Sequence, residues 1–553
     1  MFSRKPIRAV DYKNLLHVLI GMALLTVTLT GCEGLLTEEP TSFVAPENFY
    51  RNEGDALSAL AGAYNQISQG AFGGYIGSYQ FIRMTDKPSG EYTGLGDHEN
   101  LHDWWQWGPA AAERNVIFLS YDAAFEGINA ANAVIDNVPS IEEMDAQLKT
   151  QMVAEARFLR ALHYYYLVGL FGGVPIIQNE TSAITGLQRE RAPENSVYTF
   201  LIDELGQAIS NLPLDNEQGR ATKGAAQTLL TKVYLQRGSL NGNNGPLPPE
   251  RQIAQPEDFQ RAVDVAQEVI DSGKYELPSD VIAQFNDLFV DEASGGANPE
   301  IIFALQQEPG KGAGTFGMPC LLSSDSSGEP LVGASWNSAG QSTMTFFQSF
   351  EDADLRKEVT FLLETPDEQG GTVKYNLGDD PFNPDPEQYE TDGYKEDVPV
   401  IRKYVQAEVF PCDDENDVVI LRYADVLLMK AEALNEVNNG PTPEAYDAIN
   451  QVRERAGLDP LSGLSYEAFR EAIYMERRKE LILEGHGWHA LTRFWDIATR
   501  KVREAAEFDA LFPRNTNFGP DLDRLSINDH ERLWPIPQAA IGRNPSLSQN
   551  PGY

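Results

Sequence analysis

The chain has 553 residues, enough for two ordinary domains or one large one, and 42% of them are hydrophobic, which supports a sizeable core and excludes global disorder. The formal net charge is −39, from 43 basic and 82 acidic residues. So acidic a surface repels nucleic acid, which excludes that class of partner, and it fits solubility in a saline habitat.

At the start, Arg4 to Lys13 form a basic stretch, Leu15 to Thr30 an apolar one, and Leu29-Thr30-Gly31-Cys32 follows. The apolar run is short for a membrane span of about 20 residues and stands where a signal peptide belongs, so 1–31 reads as a cleaved leader. Its loss removes four basic residues and one acid and deepens the charge to −42. Leu-Thr-Gly-Cys resembles a bacterial lipobox, which implies that Cys32 becomes the diacylated first residue of the mature protein. Acyl chains hold a protein to a membrane by burying methylenes, each worth about 0.8 kcal/mol. No later segment approaches about 18 uninterrupted apolar residues, so the expectation is a soluble body on a lipid tether.

Apolar residues at helical spacing then predict helices over 55–69, 118–138, 150–170, 197–212, 223–237 and 259–272. Stops follow several of them: Gly172-Gly173-Val174-Pro175, Pro213, Gly238 and Gly273. Further helices are predicted over 421–437, 442–456 and 466–484. The helices come in twos with small residues at facing positions, as in Ala225-Ala226 followed by Ala262 and Ala266, which lets pairs approach closely and stack in tetratricopeptide-like fashion. The expected fold is therefore all-α dominated, with a helix-pair scaffold over about 45–300 and 420–500. Residues 70–110, 239–258 and 306–418 are rich in Gly, Pro, Ser, Asn and Asp and lack periodicity. Such long stretches are usually functional, so a loop-rich ligand lobe is expected at about 70–115 and 306–418.

Three motifs in these loops bear on chemistry. His98-Glu99-Asn100-Leu101-His102 fits H-E-x-x-H, in which two histidines on one helix face share zinc and the glutamate activates water. Gly94 and Gly96 precede it and Trp104-Trp105-Gln106-Trp107-Gly108-Pro109 follow, so a firm helix is not expected; an exposed loop is the simpler reading, and an exported zinc hydrolase is the alternative function. Trp104, Trp105 and Trp107 cannot all point one way, so at least one is expected to face outward, where an indole stacks on the apolar face of a sugar. The acidic runs 379–380 and 413–417 carry the oxygen ligands calcium takes, but in so acidic a chain they read as solvated charge, and no cofactor is expected. Cys320 and Cys412 are either one disulfide or two buried thiols.

Several blocks, in order, resemble the SusD/RagB family. They are Ala154-Glu155-Ala156-Arg157-Phe158-Leu159-Arg160-Ala161 with Phe171-Gly172-Gly173-Val174-Pro175, the run from Arg422 to Ala433, Asn450 to Gly457, and Glu476-Arg477-Arg478-Lys479-Glu480-Leu481 with Glu484-Gly485. Leu533-Trp534-Pro535-Ile536-Pro537 and the ending Asn550-Pro551-Gly552-Tyr553 are similar too. One departure is His486-Gly487-Trp488-His489-Ala490-Leu491, where the family usually has a basic residue and Asp-Leu; it reads as a packing variant. The resemblance spans 32–553 and implies a SusD-like domain without catalysis. It implies an outer-membrane lipoprotein, surface-exposed, that binds an oligosaccharide or peptide nutrient for a SusC-like TonB-dependent transporter. It also implies that ligand contacts come from Arg83, from one or more of Trp104, Trp105 and Trp107, and from Trp336.

Overall fold

The computed structural model describes residues 49–67, 79–93, 115–181, 188–289, 298–306, 341–366, 372–374, 400–403, 417–509 and 529–553, apart from 244, 246, 343, 363 and 402. Residues 52–553 form one structural unit.

Short polar side chains start many of its helices. Asn52 precedes α1 (Glu53–Asn65) and its Oδ1 accepts from the Asp55 amide at 3.0 Å. After α2 (Tyr79–Thr85) and α3 (Asn115–Asn137), Asp145 caps α4 (Ala146–Phe171) through the amides of Gln147 and Leu148. Following α5 (Glu194–Asn211), Thr222 caps α6 (Lys223–Gly238). Next come α7 (Asp258–Asp271), α8 (Val281–Phe289), the short α9 (Met344–Gln348) and α10 (Arg356–Thr360), and α11 (Tyr423–Asn438). Thr442 caps α12 (Pro443–Arg455) and Ser465 caps α13 (Tyr466–Leu481); α14 (Gly487–Arg493), α15 (Trp495–Asp509) and α16 (Gln538–Arg543) follow. Each cap satisfies an amide that the helix itself cannot, at about 1 kcal/mol.

Successive helices lie side by side: α3 on α4, α4 on α5, α5 on α6 and α6 on α7. α7 then meets α11, which also holds α12 and α13. This is the all-α, tetratricopeptide-like scaffold that the small-residue pattern predicts. The amphipathic reading holds for outer helices such as α7, which buries one stripe of Ala262, Ala266 and Val269. It does not hold for α4, α6 and α11. These inner helices are walled in by neighbours and buried around most of their circumference.

The strands are β1 (Tyr92–Thr93), β2 (Ile301–Leu305), β3 (Gln341–Ser342), β4 (Phe361–Leu362), β5 (Glu364–Pro366), β6 (Thr372–Lys374), β7 (Val400–Ile401) and β8 (Val418–Arg422). They correct the expectation that 70–110 and 306–418 are irregular throughout. β8 also takes Leu421 and Arg422 from the predicted helix over 421–437, because the apolar run Val418–Leu421 pairs antiparallel with β2, Ile301 facing Arg422 and Leu305 facing Val418. This ladder closes the base of the excursion that leaves α7 and returns beside it as α11. Asp417, expected to be solvated, is instead buried at that base and accepts from Gln306 Nε2. The helix expected over 466–484 ends at Leu481. The chain turns there through Leu483 (φ 61°) and Gly485 (φ 77°), which frees the Glu480 and Ile482 carbonyls for buried cations.

The excursion builds a second core. Val281, Phe285 and Leu288 of α8 meet Phe346, Phe347, Phe350, Phe361 and Ile401, and Ile482 and Leu483 close it. Phe361 meets Phe347 and Phe350 edge-on, with centroids 5.0 and 5.2 Å apart. The C-terminus is pinned to the end of α4: Trp534 N donates to Leu170 O at 2.7 Å, and Asn550 Nδ2 to Phe171 O at 3.1 Å. Arg191 adds a bond to Asn550 Oδ1 at 2.6 Å.

The departure at 486–491 is indeed packing. Trp488 is fully buried and its Nε1 donates to Gly169 O at 3.1 Å, while His489 stacks on Tyr165 with centroids 4.5 Å apart. A Cβ on Gly169 would lie 2.3 Å from His489 Nε2. Gly→Ala inside a helix ordinarily gains about 0.5–1 kcal/mol, whereas overpacking a core costs about 1–3 kcal/mol. Gly169→Ala is therefore expected to lower the urea midpoint, and His489→Ala in the same chain to reverse the sign of the Gly169→Ala effect. A stabilising Gly169→Ala single variant would contradict this packing.

Candidate functional site

Four strands form one sheet in the order β1-β3-β7-β4, each pair antiparallel. Thr93 faces Gln341, Gln341 faces Val400, and Val400 faces Leu362, so these four residues share a row. Thr93 ends β1 and Gln341 starts β3. The chain therefore runs on into 94–114, and arrives from 307–340, on the same side of that row and from neighbouring strands. β7 enters the sheet, and β4 leaves it, on the opposite side. Trp104, Trp105 and Trp107 belong to the first connection, and Trp336 stands five residues before Gln341 on the second. Two stretches remote in sequence, each carrying tryptophans singled out above, are thus rooted side by side.

What fixes the roots is a short stretch of α13 and the turn after it. Arg478 Nε donates to Glu91 Oε1 at 2.7 Å, one residue before β1, and Ser342 Oγ of β3 donates to Glu91 O at 3.1 Å. Lys403, just after β7, donates to Ile482 O at 2.9 Å and to Glu484 Oε1 at 2.5 Å. Arg356, in the helix that leads into β4, reaches Glu476 Oε1 at 2.6 Å, Glu480 Oε2 at 3.0 Å and Asp354 Oδ2 at 2.8 Å. Arg422 at the end of β8 completes the knot: its guanidinium bonds Glu300 Oε1 at 2.7 Å, Glu480 Oε1 at 2.6 Å and both oxygens of Glu484 at 2.7 and 2.8 Å. Arg455 joins Glu300 and Glu480.

These groups are buried, so the cluster persists only because its charges match. Arg422, Arg455, Arg356 and Lys403 oppose Glu300, Glu480, Glu484 and Asp354, and most lone pairs carry a hydrogen bond. Burial pushes the Glu480 carboxyl up, but Arg455, Arg422 and Arg356 outweigh it and hold the group well below the ordinary carboxylate range. Burial draws Lys403 down despite Glu484. Asp86, the first residue after α2, behaves oppositely. Burial pushes its carboxyl up to about 7, the Thr85 hydroxyl opposes the rise, and Glu91 adds to it.

The sequence motifs Glu476-Arg477-Arg478-Lys479-Glu480, Glu484 and Arg422 are thus a buried clamp rather than a ligand surface. Glu300, Asp354, Arg356 and Lys403 are its other half, and sequence reasoning passed over them. Glu300 carried a signal: a lone charge bordering an apolar strand, here Ile301-Ile302-Phe303, is costly unless paired. Of the predicted ligand residues, Arg83 stands in α2 between buried Ile82 and Met84, and its side chain lies outside the described residues. Trp104, Trp105, Trp107 and Trp336, the motif His98-Glu99-His102, and Cys32, Cys320 and Cys412 also lie outside them. Among the described residues no group of three or more His, Cys, Asp or Glu is placed to hold a metal ion, and no helix is long and apolar enough to cross a membrane.

Two family models match the chain. The one described as SusD family covers 280–553, and one described as starch-binding, associating with outer membrane, covers 96–235. The chain belongs to the SusD family. It is 27% identical to SusD-like protein P2 of Formosa agariphila, over 97% of this chain and 99% of that one. Its identity with the starch-binding protein SusD of Bacteroides thetaiotaomicron is 24%, over 81% and 80%. A solved SusD homolog from Bacteroides thetaiotaomicron superposes with a TM-score of 0.72 at 23% identity, over 92% of this chain and 98% of that structure, a likeness of fold. In this SusD-family chain the clamp lies in the first matched region, through Glu300, Arg356, Lys403 and Arg422, and reaches out of it to Glu91, which precedes the second.

Proposed function

We propose that this chain is a surface-exposed outer-membrane lipoprotein that captures a nutrient oligosaccharide, or a peptide, and passes it to a SusC-like TonB-dependent transporter. The observation that carries the reading is the common rooting of 94–114 and 307–340 on neighbouring strands, clamped by buried ion pairs. Two segments held on one rigid footing are what a binding surface of converging loops needs. The starch-binding name of one relative and the outer-membrane description of one family model support it.

In this reading Arg83, Trp104, Trp105, Trp107 and Trp336 contact the ligand. Indoles stack on the C–H faces of sugar rings, and a chain this acidic favours neutral ligands over anionic polymers. The proposed division is a leader at 1–31 and a mature domain at 32–553, with the ligand lobe at about 70–115 and 306–418 set into the helical scaffold. The protein acts by binding, without catalysis or cofactor. The test is a panel of neutral oligosaccharides, namely malto-, laminari- and xylogluco-oligosaccharides, read by melting temperature and calorimetry. A ligand of the folded state raises the melting temperature, and here its affinity is expected to change little with salt. No binding by any glycan, alongside binding by an unstructured peptide library, would shift the reading to peptides; binding by neither would end it.

The anchor is tested separately. The wild-type protein is expected to take up labelled fatty acid and Cys32→Ser to take up none. Label that persists in the variant, or never enters the wild type, contradicts the anchor.

A further inference from the structure

Beneath the root of β1, the turn 86–91 meets α13 and α14 around a cavity of about 10 Å³. Asp86, Glu91, Tyr474, Arg477, Arg478 and His486 are its polar lining. All six are at least nine-tenths buried. All but Tyr474 have part of their hydrogen-bonding capacity met: Arg477 Nη2 donates to Asp425 Oδ1 at 2.7 Å, and Glu91 Oε1 accepts from Arg478. Yet Tyr474 Oη, Arg477 Nε and Nη1, and His486 Nε2 have no partner among the described residues, and Glu91 Oε2 has none beyond the amide of its own residue. Unpaired polar atoms in such number, around one opening, are rare in folded proteins.

The size and the chemistry agree on an occupant. A volume of about one water probe admits a single water, and a buried water needs two to four polar partners. The protonation pattern supplies them with matching sense. Lys232 Nζ lies 3.1 Å from His486 Nδ1, and the ammonium is the donor, so Nδ1 accepts and Nε2 carries the hydrogen of the neutral ring. Two donors, His486 Nε2–H and an Arg477 N–H, thus oppose two acceptors, the Glu91 carboxylate and the Tyr474 hydroxyl oxygen.

We propose that this cavity is a binding site for one ordered water, which accepts from His486 and Arg477 and donates to Glu91 and Tyr474. A halide is larger than the space and would meet the Glu91 carboxylate. The water joins the turn that ends in Glu91 to α13 and α14, so the footing of β1 is part protein and part solvent. This inference concerns the footing alone and stands whichever ligand the protein binds.

A high-resolution crystal structure tests it. The expected result is one fully occupied water within hydrogen-bond distance of His486 Nε2, Arg477 and Glu91 Oε2, with no anomalous peak there after a bromide soak. A bromide peak would replace water by an anion, and a dry cavity whose side chains pair directly would overturn the site. In solution, oxygen-17 relaxation dispersion should count one fewer long-lived water in Ala490→Val, which adds bulk to a residue that lines the cavity, than in wild type at unchanged far-ultraviolet dichroism. An equal count in a folded variant would contradict the proposal.

Discussion

Glu480→Ala is expected to cost about 3–5 kcal/mol of folding stability, the range for removing one partner from a buried ion pair. The carboxylate it removes serves Arg422, Arg455 and Arg356 together, and each cation is left in a place from which water is excluded. An exposed ion pair sets the contrast: the link between Lys274 and Asp215, with side chains 40% and 76% exposed, should yield less than about 1 kcal/mol when Lys274 is truncated. Urea unfolding of both variants against wild type measures the difference. A Glu480→Ala cost below about 1 kcal/mol would mean that the clamp is not a structural unit. The same carboxylate predicts acid sensitivity. Its folded-state pKa lies below the unfolded value, so its contribution is complete above the ordinary carboxylate range and is lost as pH falls through and below it.

Asp86→Asn is expected to change the pH dependence of stability in the other direction. Burial first, and then Glu91, raise the folded-state value from 3.8 to about 7. Between these values the folded protein keeps a proton that the unfolded chain has released, so wild-type stability falls as pH rises across that window. At about 1.4 kcal/mol per unit the fall reaches at most about 4 kcal/mol. Asparagine has no proton to release. The wild-type minus variant difference should therefore decline from pH 4 to pH 7 and level off above, as read from urea midpoints at each pH. Parallel curves across the window would show that Asp86 does not hold its proton in the folded state.

The sequence makes much of the scaffold legible because helical periodicity is reinforced by caps or stops at several helices. Asp145 before α4, Gly172 after it, and Thr442-Pro443 before α12 each mark an end within a few residues of where it falls. Inner helices blur this signal, since α4 is buried on nearly every side, Glu155 and Arg160 included, and its period loses contrast. The strands were not legible. β1, β3, β4 and β7 are two residues long, too short for alternation to show, and their pairings join residues such as Tyr92 and Ser342 that only the fold brings together. The clamp was half legible. Its α13 half stands out as a dense charged block, but nothing local says that Lys403 or Arg356 is buried rather than solvated. For the proposed ligand residues, the sequence shows aromatic clustering at Trp104, Trp105 and Trp107, and the sheet register shows that their segment starts beside the one carrying Trp336.

Paired measurements on Trp104→Ala, Trp105→Ala, Trp107→Ala and Trp336→Ala test whether that juxtaposition forms the ligand site. Each variant is assayed for affinity to the best oligosaccharide of the panel and for melting temperature. Trp336→Ala and at least one variant of the 104–107 cluster are expected to lose about 1–3 kcal/mol of affinity, as for a lost stacking platform, while melting within a degree or two of wild type. Variants that lose binding only when they also unfold early, or a ligand that binds all four as tightly as wild type, would contradict it.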